Sequence, residues 1–228
     1  MDLVRLTDSI AYLRLPVGHV YLCLDDDGVT LVDTGAPGSA SAVADALTRL
    51  GRRTDEVRRV VLTHGHVDHT GSTAEIAGWG RVEVCAHHAD VPYVEGAAPP
   101  PPDLLDWERP LFERYGIAAL PAPATVDRPL TDGDVLDVGG GAVVVGAPGH
   151  TPGSIGLHLT GPNVLFCGDT VARGPDGAVM LGVFNVDRAG AAASFRRLAA
   201  LRPAIACFGH GDPLTDDTAA VLATAAGR

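Results

Sequence analysis

The stretch Thr63-His64-Gly65-His66-Val67-Asp68-His69-Thr70-Gly71 places three histidines and one aspartate within six consecutive residues. It follows directly on the apolar run 59–63, a pattern typical of a short buried strand. Imidazole and carboxylate groups are preferred ligands of zinc and similar first-row cations. Several of them on one short loop after a strand therefore indicate a metal site.

The spacing within this stretch predicts two metal positions. In an extended segment, residues two apart point the same way, so His64 and His66 can bind one ion. Asp68 and His69 lie where a helix is expected to begin, and they diverge toward a second position. The absence of a side chain at Gly65 is expected to let the backbone pass close to the metal.

Three isolated residues further along the chain add to this set of ligands. They are His150 in Gly149-His150-Thr151-Pro152-Gly153, Asp169 in Cys167-Gly168-Asp169-Thr170, and His210 in Phe208-Gly209-His210-Gly211. Each follows a strand-like run and is flanked by glycine, where a chain can turn tightly at a strand end. With the first cluster they make five histidines and two aspartates, enough for two metal ions.

The remaining pattern predicts one α/β domain, residues 1–228, made of two similar halves. An Asp26-Asp27-Gly28 hairpin joins the first two strands. Strands are predicted over 20–24, 29–32, 59–63, 82–86, 143–145, 154–159, 164–167 and 204–208. Helices are predicted over 39–50, 69–78, 103–115 and 188–201, near His87-His88, and from about residue 214.

Residues 91–129 differ from the rest in composition. They contain four consecutive prolines at 99–102, which cannot lie inside a helix or a central strand, and the aromatic residues Trp107, Phe112 and Tyr115. We interpret this segment as an insertion that crosses the surface. It either seats itself on the core, acts as a lid, or forms the contact of a homodimer.

Composition excludes several classes of protein. Apolar residues make up 46% of the chain and charged residues 20%, which favours a packed core over disorder. The net charge of −11 argues against nucleic acid and anionic membrane surfaces as partners. There is no signal-like N-terminus and no apolar run near the roughly 18 residues of a membrane span. The four cysteines show no CxxC spacing, so reduced, buried thiols and a cytoplasmic location are expected.

These motifs together resemble the metallo-β-lactamase superfamily of metal-dependent hydrolases. The resemblance is carried by Leu31-Val32-Asp33-Thr34-Gly35, the run 64–69, His150, Asp169 and His210, in the order of that family. It implies an α/β fold, a four-layer αββα sandwich with two mixed sheets and the site along one edge of them. It also implies a small-molecule substrate.

The resemblance implies a role for each motif residue. His64, His66 and His150 would bind the first metal; Asp68, His69 and His210 would bind the second; Asp169 would bridge both, and Asp33 would orient the ligand loop. Zinc is the expected metal, with manganese or iron as alternatives. A hydroxide shared by two divalent ions would attack the substrate, and Asp68 would act as the catalytic residue that holds the nucleophile and takes its proton.

The substrate class is narrowed by comparing motifs within the superfamily. Asp169 argues against a true β-lactamase, which lacks an aspartate there. The lack of lysine and the short stretch 211–228 argue against close identity with glyoxalase II. No tyrosine follows Asp169 within 170–190, unlike in homoserine lactonases. The expected substrate is a small ester, thioester or lactone.

Two alternatives remain open on the sequence. An iron-dependent persulfide dioxygenase of the same fold would use the equivalents of His64, His150 and Asp169 as a 2-His-1-carboxylate site. A metal-binding module without catalysis would keep all the ligands.

Further side chains are candidates for substrate contact. His19 lies where the opening hairpin approaches the predicted metal edge, although a structural role is the alternative. Met180 and Phe184 follow the bridging aspartate and are candidates for an apolar pocket wall, or else ordinary core. Trp107 of the insertion completes this group.

Overall fold

The computed structural model describes residues 1–115 and 122–227, which divide into two compact units. The first unit contains residues 1–98 and 122–130, and the second contains residues 99–115 and 131–227. Helices span Ala40–Arg49 (α1), Val67–Thr70 (α2), Thr73–Ala77 (α3), Val91–Val94 (α4), Arg109–Tyr115 (α5), Arg188–Ala200 (α6) and Thr218–Ala226 (α7). Strands span Asp2–Arg5 (β1), Ile10–Arg14 (β2), His19–Asp25 (β3), Gly28–Val32 (β4), Val57–Val61 (β5), Glu83–His87 (β6), Arg128–Leu130 (β7), Val135–Leu136 (β8), Ala142–Gly146 (β9), Ile155–Leu159 (β10), Val164–Phe166 (β11), Val171–Arg173 (β12), Val179–Leu181 (β13) and Ile205–Cys207 (β14).

The first unit is built on a seven-stranded mixed sheet in the order β1-β2-β3-β4-β5-β6-β7. Strands β1 to β4 run antiparallel to their neighbours, and β4 to β7 run parallel. Asp25 pairs with Gly28, so Asp26 and Asp27 form the tight turn between β3 and β4, and the predicted hairpin is confirmed. The parallel half brings the carboxyl ends of β4, β5 and β6 to one edge of the sheet.

Helix α1 packs on this sheet through the face that its apolar spacing predicts. Ala42, Val43, Ala46 and Leu47 are buried in a core with Leu22, Leu31, Val60 and other strand residues. The chain leaves the helix at Gly51, whose φ of +75° lies in the left-handed region typical of a glycine after a helix C-terminus. The predicted helix 39–50 is confirmed to within a residue at each end.

The second unit is built on a five-stranded mixed sheet in the order β14-β11-β10-β9-β8. Strands β11 and β14 are parallel and the other pairs are antiparallel. A separate two-stranded ribbon joins β12 and β13. Helix α6 buries Ala191, Phe195 and Leu198 in the core of this unit. Two mixed sheets were predicted, and both are present.

Several predicted helices have different bounds because neighbouring contacts interrupt them. The predicted helix 69–78 is split into α2 and α3 at Ser72, whose φ of −107° and ψ of 8° are not helical. The Ser72 hydroxyl donates to the Ala36 carbonyl and accepts from the Ser39 amide, which ties this position to the segment after β4. The predicted C-terminal helix begins at Thr218 and not at Leu214, because Leu214 exchanges two backbone hydrogen bonds with Ala206.

The predictions for the stretch around the insertion also need correction. The predicted helix 103–115 begins only at Arg109, because the Glu108 side chain accepts the Leu105 amide and shapes a turn ahead of the helix. His87 ends strand β6, and the helix expected there begins at Val91. Residues 116–121 lie outside the described residues, so this part of the predicted insertion is not covered.

Short strands without a long apolar run were not predicted. They are β1, β2, β7, β8, β12 and β13, and none of them is longer than five residues. Within the described residues, no helix is long and apolar enough to pass through a lipid bilayer.

The four cysteines are free and buried, as predicted. Burial, with a smaller effect from the neighbouring Asp25 carboxylate, raises the pKa of the Cys23 thiol well above its ordinary value. Burial and the nearby Glu83 raise the pKa of Cys85 to about 12. Burial likewise raises the pKa of Cys167.

We therefore expect the thiols to be unreactive in the native protein. A raised pKa keeps a thiol protonated at pH 8, and only the thiolate reacts rapidly with a disulfide reagent. Titration with Ellman's reagent should give almost no reaction in buffer and all four thiols in guanidinium chloride. Rapid labelling of even one thiol in the native protein would contradict the burial of these strands.

Candidate metal centre

The histidine-rich loop of the first unit begins where strand β5 ends. Asp33 directly follows β4, the parallel neighbour of β5, and the Asp33 amide donates to the Val61 carbonyl at 3.0 Å. The two strand ends therefore present Asp33 and Thr63 to each other. Asp33 has a φ of +62°, a conformation that aspartate tolerates better than most residues with a side chain.

The buried Asp33 carboxylate organises this loop. One oxygen, Oδ1, accepts the Thr63 amide at 2.7 Å. The other, Oδ2, accepts the Thr63 hydroxyl at 2.8 Å and lies 2.8 Å from Nδ1 of His69. Asp33 is 2% exposed, so these contacts are made away from water. The Asp33 carboxylate thus links Thr63 to His69; its role toward a bound metal stays a prediction.

These contacts fix which nitrogen of each ring carries a proton. A carboxylate only accepts, so Nδ1 of His69 donates to it, and Nε2 of His69 keeps its lone pair. The Thr63 hydroxyl donates its hydrogen bond to Asp33, so the hydroxyl oxygen accepts a hydrogen bond from Nδ1 of His64 at 3.0 Å. Nε2 of His64 is likewise left as a ligand nitrogen. One carboxylate thus determines the tautomer and orientation of both rings, as carboxylate–histidine pairs do in metal sites.

The other ligand candidates of this unit lie close to these two rings. The His64 ring centroid is 4.8 Å from that of His66 and 4.2 Å from that of His69. Asp68 Oδ2 is 3.6 Å from Nε2 of His69. The three rings are buried, whereas the Asp68 side chain keeps 13% of its surface exposed. Asp68 is therefore the member of the cluster that solvent can reach.

Gly65 lies in close contact with helix α4, and its predicted close approach to a metal stays a prediction. A Cβ at Gly65 would lie 2.9 Å from Cβ of Tyr93, so the glycine is needed because Tyr93 packs against it. The Gly65 amide also donates to Oδ2 of the fully buried Asp90 at 2.8 Å. Asp90 and Tyr93 were not predicted as parts of this site, since neither belongs to a recognisable motif.

The second unit gathers its own three ligand candidates. His150 follows β9, Asp169 follows β11 and His210 follows β14. Oδ2 of Asp169 lies 3.2 Å from Nε2 of His210 and 3.8 Å from Nε2 of His150. The Asp169 carboxylate oxygen thus lies near two imidazole nitrogens, and its bridging of two metals stays a prediction.

The His150 ring is oriented by the backbone. Its Nδ1 lies 3.1 Å from the Val183 carbonyl, which can only accept, so Nδ1 carries the proton and Nε2 is the ligand nitrogen. His150 is buried, Asp169 keeps 13% of its side chain exposed, and His210 keeps 39%. As in the first unit, the carboxylate is more accessible than the most deeply buried ring.

The four predicted substrate-contact residues occupy different environments. His19 is buried beside the Tyr12 and Tyr21 rings, on a turn where Gly18 packs against the Asp68 backbone. Phe184 is buried, with its ring 5.3 Å from that of Phe112. Met180 and Trp107 are 37% and 50% exposed. Contact of these four with a substrate stays a prediction.

Comparison with known proteins identifies the class to which this fold and these histidines belong. The family model of the metallo-β-lactamase superfamily matches residues 13–210. The probable metallo-hydrolase YflN of Bacillus subtilis is 30% identical over 231 residues, covering 89% of this chain and 84% of that protein. A hydroxyacylglutathione hydrolase of Fuscovulum blasticum is 31% identical over 195 residues, covering 82% and 64%.

Solved structures agree on the fold. BJP-1, a subclass B3 metallo-β-lactamase of Bradyrhizobium japonicum, matches with a TM-score of 0.76 over 100% of this chain and 90% of its own, at 22% identity. The chain belongs to the metallo-β-lactamase superfamily, and its fold class is the predicted α/β, αββα sandwich with two mixed sheets. Membership places it among metal-dependent hydrolases.

Replacing Asp33 by Asn should weaken metal binding. An amide has one acceptor oxygen where the carboxylate has two, so at least one of the donors on Thr63 and His69 loses its partner. Zinc affinity should fall about 10- to 100-fold, as for other partners of metal-binding histidines. The free energy of unfolding should fall by about 1–3 kcal/mol. Competition with a fluorescent chelator and denaturant titration measure the two effects.

The matched control is Asp26→Asn, which changes an exposed aspartate in the β3–β4 turn in the same way. It should leave both zinc affinity and stability unchanged. If Asp33→Asn and the control bind zinc equally well, Asp33 does not set the ligand geometry.

Proposed function

We propose that this chain is a dinuclear metal-dependent hydrolase that acts on a small ester, thioester or lactone. The observation that carries the proposal is the arrangement of histidines in each unit. Each of His64, His69 and His150 has its Nδ1 held by a neighbouring acceptor, which leaves Nε2 to bind a metal. Rings fixed in this way are preorganised ligands.

The proposed ligand sets are those that the family motifs imply. His64, His66 and His150 would bind one ion, Asp68, His69 and His210 would bind the other, and Asp169 would be shared by both. All the donors are imidazole nitrogens or carboxylate oxygens, which suit zinc, with manganese and iron as alternatives. This donor chemistry, together with family membership, supports two divalent ions.

The chain's own residues have separable roles in the proposed reaction. When bound, divalent ions would supply Lewis acidity and make a water molecule acidic enough to ionise near neutral pH. Asp68, the accessible carboxylate of its cluster, would accept the proton of the attacking water through Oδ2. Asp169, the partly exposed carboxylate of the second unit, would be the ligand shared by both ions.

The substrate class is supported by the names of relatives and by the motif comparison. One relative is a hydroxyacylglutathione hydrolase, whose name describes removal of an acyl group from glutathione. We therefore place thioesters first in the proposed class, followed by esters and lactones. The likeness to β-lactamase structures, at 22% identity or below in BJP-1 and SMB-1, concerns the fold alone.

Two further expectations remain proposals of ours. A cytoplasmic location is supported by the four free, buried thiols. A homodimer through the segment 91–129 is supported by exposed apolar side chains on its described part, where Leu105, Trp107 and Leu111 are 40%, 50% and 37% exposed. Comparing the sedimentation of the wild type with that of Trp107→Ser would test the homodimer.

The first prediction of this proposal concerns metal content. Protein purified without added metal should carry about two zinc or manganese ions per chain by elemental analysis, and it should hydrolyse members of a panel of thioesters, esters and lactones. About one iron per chain, with oxygen uptake on a persulfide, would instead establish the dioxygenase. A protein that retains no metal after addition of zinc would contradict both enzymes.

A second prediction concerns Asp68. Asp68→Asn keeps the size of the side chain but removes its basicity, so kcat should fall about 10²- to 10⁴-fold. The melting temperature should stay within a few degrees of the wild type, since the side chain is partly exposed. Asp26→Asn serves again as the control. Near-normal kcat in Asp68→Asn would exclude Asp68 as the proton acceptor.

A further inference from the structure

Residues 182–187, here called the 182–187 loop, make three hydrogen bonds with His150 and the preceding Gly149. The Val183 carbonyl accepts Nδ1–H of the ring at 3.1 Å. The Val186 amide donates to the His150 carbonyl at 3.3 Å, and the Asp187 amide donates to the Gly149 carbonyl at 2.9 Å. Ring and backbone of His150 therefore depend on one loop.

The same loop touches the neighbourhood of Asp169. The Gly182 amide donates to the Thr170 carbonyl at 3.2 Å. Gly182 packs so closely on the Asp169 carbonyl that no side chain would fit there. A displacement of the 182–187 loop would thus disturb two of the proposed ligands together.

The conformation of this loop is strained. Phe184 has a φ of +60°, a left-handed conformation that is unfavourable for a bulky residue. The Asn185 side chain partly compensates by donating to the Gly182 carbonyl at 2.6 Å. Strain of this kind persists only where surrounding contacts hold the backbone in place.

Residues 103–112, here called the strap, supply such contacts from the other side of the loop. The Asp103 amide donates to the Asn185 carbonyl at 2.8 Å. The Phe112 ring meets Phe184 edge-on, with centroids 5.3 Å apart and planes at 71°. Both contacts fall on the residues that form the strained part of the loop.

An ion pair closes the strap at the end of the loop. Oε1 of Glu108 accepts from Nη2 of Arg188 at 2.5 Å, and Arg188 immediately follows the loop. Oε2 of Glu108 accepts the Leu105 amide at 2.9 Å, so the carboxylate is used on both sides. Glu108 is fully buried, and Arg188 is the cation that it pairs with.

The two partners of this ion pair differ in burial: Glu108 is fully buried, whereas the Arg188 side chain keeps 32% of its surface exposed. Burial of the carboxylate carries a desolvation cost that the contact with Arg188 must offset, so the pair is weak evidence for a role in stability alone. Among the described residues, Nε of Arg188 is buried and has no hydrogen-bond partner, which adds to that cost. What the pair does supply is a fixed position for the segment between the strap and helix α6.

We propose that Glu108 and Arg188 are positioning residues of the metal centre. Through the strap they lock the 182–187 loop, and the loop in turn aims Nε2 of His150 at its ion. The inference rests on the proposed function for the identity of the ion, but the orientation of the His150 ring is a property of the chain itself. The strap therefore contributes to the geometry of the metal site.

The test compares Glu108→Ala, Glu108→Gln and Phe112→Ala with the wild type. The matched control is Asp132→Asn, which removes the charge of an ion pair made with Arg197 on the same helix α6, away from the loop. Zinc affinity is measured by chelator competition and hydrolysis by kcat and KM. The His150 tautomer is measured by two-bond ¹H–¹⁵N spectra of the metal-free full chain.

We expect Glu108→Ala to weaken binding of one zinc ion about 10- to 100-fold and to lower kcat more than it raises KM. Glu108→Gln, which keeps the contact with the Leu105 amide, should recover part of the loss. The His150 signals of Glu108→Ala and Phe112→Ala should show a mixture of tautomers. Asp132→Asn should match the wild type in all three measurements.

The outcomes separate this inference from the proposed function. If the wild type binds two zinc ions but Glu108→Ala binds them equally well and keeps the His150 spectrum, the inference is wrong and the hydrolase stands. If the wild type neither binds zinc nor hydrolyses any substrate, the proposed function is wrong. In that case the His150 spectrum of Glu108→Ala still decides whether the strap positions the ring. Should Glu108→Ala fail to fold, Phe112→Ala and Glu108→Gln give the same comparison.

Discussion

The buried Asp33 carboxylate is the interaction on which the histidine loop of the first unit depends. It accepts hydrogen bonds from Thr63 and His69 at the end of two adjacent parallel strands. Because the Thr63 hydroxyl also accepts a hydrogen bond from Nδ1 of His64, the Asp33 carboxylate determines the orientation of both the His64 and the His69 ring. An unpaired carboxylate at 2% exposure would be costly, so the loop and the carboxylate stabilise each other.

Each unit orients a histidine ring with a hydrogen-bond acceptor, and the kind of acceptor differs between the two units. In the first unit a side-chain carboxylate holds His69, while in the second a backbone carbonyl, that of Val183, holds His150. A carboxylate brings its own charge and can compensate a bound cation, whereas a carbonyl only orients the ring. The position of the Val183 carbonyl depends on the conformation of the 182–187 loop. The contacts of Glu108 and Phe112 therefore affect the orientation of the His150 ring.

The sequence predicted the β3–β4 hairpin and helix α1 because their signals are local: apolar periodicity, an Asp-Gly turn and a glycine after the helix. The αββα fold class followed from the resemblance to the family. Helix starts were placed wrongly at 103 and 214, where the Glu108 side chain accepts the Leu105 amide and where Leu214 pairs with Ala206. The ligand candidates were found since histidine and aspartate next to glycine at strand ends form a recognisable motif. Their assignment to particular ions stays a prediction.

The residues that support the candidate ligands were much harder to find. Asp90, Val183 and Glu108 meet their partners across 25, 33 and 80 residues of sequence, and no spacing rule connects such pairs. Val183 acts through its carbonyl, so its side chain gives no signal at all. Gly65 was recognised from its place in the histidine motif, but its close contact with Tyr93 could not be predicted from the sequence.

The central claim is that the two histidine clusters together hold two ions. Anomalous diffraction at the zinc edge, from crystals of the full chain grown with zinc, tests it most directly. The account predicts two peaks, one bound by His64, His66 and His150 and one by Asp68, His69 and His210, with Asp169 touching both. A single peak, or peaks bound by other residues, would contradict it.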